Sequence, residues 1–78
     1  MNNKRRKKLD EACLYLNRAS DIVEQVKDEE QDCMDNTPES LQETERFYMM
    51  DEAVDALQDA LDSINEASES IEKARNGE

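Results

Sequence analysis

The chain has no histidine and no tryptophan, one glycine, one proline, and only three aromatic residues in 78. Without histidine, the commonest general base and the commonest neutral metal ligand are both missing. Without glycine-rich segments there is no phosphate-cradling loop and no nucleophile elbow, and no Glu-x-x-His pair exists for a di-iron bundle. The nearest material for a carboxylate-held cation, Glu29-Glu30-Gln31-Asp32 with Asp59 and Asp62, is a loose pattern in so acidic a chain. An enzyme is not expected, nor a cofactor or a resident metal. No apolar run is long enough to span a membrane, and no secretory leader is evident. The two cysteines, Cys13 and Cys33, form no CxxC pair. A cytoplasmic setting with reduced thiols is therefore expected, with both cysteines as small buried apolar side chains.

Basic residues are also scarce. Ten Lys and Arg stand against 21 Asp and Glu, for a net charge of −11. Such a balance, with 36% hydrophobic residues, belongs to disordered chains unless the apolar residues keep register. Here they do. Met50, Leu57, Ile64 and Ile71 fall seven apart, and Ala53, Ala60, Ala67 and Ala74 repeat three places on. Leu9, Leu16 and Val23 repeat in the same way, followed by Ala12, Ala19, Val26 and Cys33. Glu30 interrupts the leading row. A period of seven means helices, each with one face committed to another helix.

The break between them is legible. Asp35-Asn36-Thr37-Pro38-Glu39-Ser40 stops one helix and restarts another, since proline cannot continue a helix but suits its first turn. The expected order is a helix over about 4–34, a loop at 35–37 with Thr37 as N-cap, a short turn at 38–42, and a helix over about 44–75. Thr44 before Glu45 marks the second restart. The expected fold is all-α: an antiparallel helical hairpin, coiled-coil-like, with an alanine-rich seam. Tyr15 and Ile22 flank the first stripe, and Val54 and Leu61 flank the second. These four are expected to form an oligomer seam joining two hairpins into a four-helix bundle.

Three further surfaces are candidates for binding. Glu52, Asp55, Asp59, Asp62, Glu66 and Glu69 are spaced 3-4-3-4-3 and so line one helix face. Their mean axial spacing is about 5 Å, comparable in scale to phosphates along a nucleic-acid strand. Almost no lysine relieves them at i+4. Lys4, Arg5, Arg6, Lys7 and Lys8 make a basic block that opposes the helix dipole. It reads as a solvated start lying beside Glu66, Glu69 and Glu72, or as an arm for phosphate or an acidic partner. Leu41, Phe47, Tyr48 and Met49 form an apolar patch near the loop. Direct DNA binding is not expected from so acidic a chain.

Asp28-Glu29-Glu30-Gln31, Asn36 through Gln42, Glu45-Arg46 and Met50 through Leu57 together resemble a family. It comprises short acidic helical proteins encoded in phages and prophages of Gram-positive bacteria. The match covers nearly the whole chain after the basic block. Thr44 and Phe47 depart from it, where the family tends to have serine and glycine; the missing glycine favours a more continuous helix. The resemblance implies a phage accessory protein in a bacterial host cell that binds host machinery or a defence factor. Residues and resemblance together suggest a non-enzymatic inhibitor, for example of a CRISPR effector. The alternatives are an oligomer sequestering a small anionic signal nucleotide through Lys4–Lys8 and Tyr15, and a structural homo-oligomeric adaptor.

Overall fold

Two long helices account for nearly all of the chain because almost nothing in it disfavours helix. Gly77 lies past the last helix and Pro38 lies between the two. In the computed structural model, which describes residues 1–77, α1 spans Asn3–Asp35 and α2 spans Glu45–Asn76. A single 3₁₀ turn, Glu39–Leu41, lies between them. The expected all-α hairpin is the fold, with boundaries within one residue of expectation for the long helices. The helices lie side by side along a body whose Cα extents are 59 × 15 × 13 Å.

Each helix start has a side-chain cap. The Asn2 side chain accepts from the Arg5 N–H at 2.9 Å, so the basic block forms the first turns of α1. Thr44 accepts from the Phe47 N–H at 3.3 Å, and its hydroxyl donates to the Leu41 carbonyl at 2.8 Å. One residue thus ties the turn to α2. Thr44→Ala is expected to lower the unfolding free energy by about 1 kcal/mol, read as a shift in urea midpoint. An unchanged midpoint would remove Thr44 from this role. Thr37 acts differently from expectation. Its hydroxyl donates to the Cys33 carbonyl at 2.8 Å and its N–H to the Met34 carbonyl. It therefore closes the end of α1, where carbonyls lack intrahelical donors, while Pro38 takes the position before the turn without a side-chain cap.

The seam keeps the period of seven but shifts its second row by one residue. Half-buried positions on α1 run Arg6, Leu9, Cys13, Leu16, Ser20, Val23, Lys27, Glu30, Met34. On α2 they run Phe47, Met50, Val54, Leu57, Leu61, Ile64, Ser68, Ile71, Arg75, of which Val54 and Leu61 are buried. These are the alternating 3-4 steps of a coiled-coil seam. In heptad letters, a holds Cys13, Ser20, Lys27 and Val54, Leu61, Ser68; d holds Leu9, Leu16, Val23, Glu30 and Met50, Leu57, Ile64, Ile71. The alanines at Ala12, Ala19, Ala53, Ala60 and Ala67 occupy g, at the edge of the seam and half-buried. Ala74, Val26 and Cys33 continue that row and are exposed. Cys33 is thus not a core thiol, whereas Cys13 sits in the seam.

Val54 and Leu61 are the most buried residues described, 8% and 7% exposed. They hold the hairpin together rather than flanking it, so they do not belong to a seam between copies. The larger side chains take the centre because removing their area from water contributes more than burying alanine. The rod remains thinly covered: it exposes 6098 Å², where a compact monomer of this mass exposes about 4,900 Å².

Candidate functional site

Asp55, Asp62 and Glu69 occupy the b row of α2, and Glu52, Asp59 and Glu66 the f row. These adjacent rows run down the back of α2, away from α1. All six side chains are exposed. Asp62 accepts a hydrogen bond from Gln58 at 3.0 Å. Among the described residues, none of the six joins an ion pair. A rigid helix therefore displays regularly spaced carboxylates whose mutual repulsion little local relieves, Gln58 on Asp62 and Lys73 four residues after Glu69 being the exceptions.

Gln58 is itself held. Lys27, half-buried in the seam, donates to its Oε1 at 2.6 Å. One lysine of the few after the basic block is thereby spent across the hairpin rather than on the acidic ridge. At the open end, Arg75 grips Asp10 with two hydrogen bonds, at 2.6 and 3.2 Å. The Asp10 carboxylate, first by hydrogen bond and then by charge, holds the Arg75 guanidinium above its ordinary value. Both partners are substantially exposed, so this pair aligns the helix ends more than it stabilises the fold.

The basic block is split by the seam. Arg6 is half-buried and its Nε donates to the Arg75 carbonyl at 3.5 Å, with Nη1 donating to the Asn3 side chain. Lys4, Arg5, Lys7 and Lys8 are exposed around the helix. Among the described residues the ion pair between the helices runs from Arg75 to Asp10, not from this block to Glu66, Glu69 or Glu72.

The apolar patch near the loop is divided as well. Leu41 and Phe47 line a cleft of about 440 Å³ with Cys33, Arg46 and Met50. Tyr48 meets Phe47 edge-on, ring centroids 6.3 Å apart, but sits on the b row at the ridge side. Met49 begins the c row, next to the alanines, and is 63% exposed. Tyr15 and Ile22 are exposed on the c row of α1, 59% and 62%, so this half of the expected oligomer seam remains free. Sequence reasoning missed Gln58 and Lys27 as cross-hairpin partners; for Lys27 the seven-residue offset from Ser20 and Cys13 was the available signal, while Gln58 lies beside the seam next to Leu57.

Among the described residues no group of Cys, Asp and Glu is arranged to hold a metal ion, and no helix is long and apolar enough to cross a membrane. No protein-family model, curated protein or solved structure matches the chain.

Proposed function

We propose that this chain is a non-enzymatic interaction protein whose acidic ridge engages a basic protein surface that otherwise holds nucleic acid. The supporting observation is the ridge itself: six exposed carboxylates on one rigid helix, none ion-paired among the described residues. Largely unrelieved repulsion along a helix is a standing cost. A basic groove converts that cost into attraction and releases counterions as a nucleic-acid backbone does. The resemblance to phage-encoded acidic helical proteins supports an inhibitor acting in the cytoplasm of a bacterial host, with a CRISPR effector as the target class. The proposal includes self-association, two hairpins packed as a four-helix bundle with their ridges outward.

The test is competition with DNA for a purified CRISPR effector. The native chain is expected to displace DNA, with affinity falling log-linearly with salt. Reversing Asp55, Asp59 and Asp62 to Lys should weaken displacement at least tenfold. Equal displacement by the triple variant would remove the ridge from the interaction.

A further inference from the structure

Of the seven large apolar side chains left exposed, Tyr15, Ile22, Val26 and Met49 share one side of the hairpin, while Leu14 and Tyr48 lie on the b rows and Leu41 in the turn. Tyr15, Ile22 and Val26 lie on the c and g rows of α1, which also hold Ala12 and Ala19. Met49 opens the same two rows on α2, which continue to Ala74 through alanines and serines alone. Because the helices run in opposite directions, rows displaced from the seam by the same angle on each emerge on one side of the hairpin. The c and g rows therefore merge into a single face. Between Ala12 and Cys33, and between Met49 and Ala74, Glu29 is its one charged residue, in a chain that is 40% charged. The other side of the hairpin carries Asp21, Asp28, Asp51, Asp55 and Asp62.

We infer that this face docks a second copy of the chain, face to face and antiparallel, with the two-fold axis crossing near Ala19. Charge complementarity selects that occupant and that direction. The c row of α1 reads Lys8, Tyr15, Ile22, Glu29, seven apart. Reversed against itself it sets Lys8 against Glu29 of the second copy and Tyr15 against Ile22, twice over. The ends of the rod agree. Residues 28–45, at the loop end, carry eight acidic side chains and no basic one. The open end carries Lys4–Lys8, Lys73 and Arg75, seven of the ten basic residues. An antiparallel pair lays each basic end over an acidic end; a parallel pair would stack like on like.

The area is sufficient. Ala12 to Cys33 spans about 32 Å, and two adjacent helices are about 20 Å wide with side chains. That gives roughly 640 Å² per copy, near the ~800 Å² per partner of a standard interface and above most crystal contacts. Packing there covers Tyr15, Ile22 and Val26 and leaves the b and f rows outward.

This inference rests on the interaction reading only for how the ridge is displayed; self-association has its own readout. In sedimentation equilibrium of the full chain at micromolar concentration, the native protein should run at twice its 9.0 kDa mass. A monomer throughout overturns the proposal. Ile22→Glu, on a side chain already exposed in the hairpin, should give a monomer with helical circular dichroism retained; a persisting dimer assigns association to another face and overturns the proposal. Lys8→Glu and Glu29→Lys should each weaken the dimer about tenfold, and the double swap should restore it. A double swap as weak as the singles rejects the antiparallel direction. Reversal of Asp55, Asp59 and Asp62, off this face, should leave the dimer intact, so a failed ridge and a failed dimer are told apart.

Discussion

Leu61→Ala is expected to cost about 2–4 kcal/mol of folding free energy, the usual range for truncating a buried leucine. Leu61 is 7% exposed and lies at the middle of α2, flanked one heptad away by Val54 at 8%. No other described residue is as fully covered. A chain of this size draws roughly 3–5 kcal/mol from its core, so one truncation removes most of that margin. The helical signal at 25 °C should fall markedly, and the urea midpoint should drop by more than half. Leu14→Ala is the control. Leu14 is 58% exposed on the b row, outside both the seam and the face proposed for self-docking, and its truncation should change stability by less than about 0.5 kcal/mol. Both variants are compared at one protein concentration, because self-association would couple stability to it. Similar losses at Leu14 and Leu61 would mean that the seam does not hold the hairpin.

Glu30→Leu is expected to do the opposite, raising stability by about 1–2 kcal/mol. Glu30 occupies a d position and is half-buried, one turn closer to the loop than the Lys27–Gln58 hydrogen bond. The carboxylate is partly removed from water at a position that the rest of the d row fills with Leu, Val, Met and Ile. An apolar side chain there gains burial and ends the desolvation of a charge. It also removes one negative charge from a chain at −11. Glu30→Gln separates the contributions, since it relieves charge without adding apolar area and should recover less than half of the gain. A lower urea midpoint for Glu30→Leu would show that the carboxylate is held by an interaction that outweighs both effects. Polar residues in the seam (Ser20, Lys27, Glu30, Ser68) leave the hairpin less stable than its heptads permit. They also fix its register, since Lys27 meets Gln58 in only one alignment of the helices.

Much of this was legible from residue types alone. Period-seven spacing, the proline and two threonine-marked boundaries placed both long helices to within a residue. Thr44 was recognisable as a cap because it precedes Glu45 at the head of a periodic run. Thr37 was not, because a threonine between two helices can serve either one; the hydroxyl went to the open carbonyl of Cys33, the nearer unsatisfied group. The acidic ridge was equally plain, since helical geometry sends residues at 3-4 spacing to one side wherever the helix lies. The division of the loop-end patch was not legible. Phe47, Tyr48 and Met49 are consecutive, and consecutive residues on a helix are 100° apart, so they face three directions.

Residue order by itself determined that there are two helices, where each stops, and that each carries an apolar stripe and a charged back. Only the packed hairpin decided which neighbour of the leading row lies innermost. Residues at +3 and +4 straddle the same side of a helix, and alanine or valine satisfies either place in isolation. Against a second helix they are not equivalent, because Val54 and Leu61 remove more area from water than Ala53 and Ala60, so rotation about the axis settles with the larger pair inside. That same rotation carried the alanine rows to the rim and joined them, across antiparallel helices, into one face whose single charge between Ala12 and Cys33 and between Met49 and Ala74 is Glu29. Each helix alone carries only half of that face.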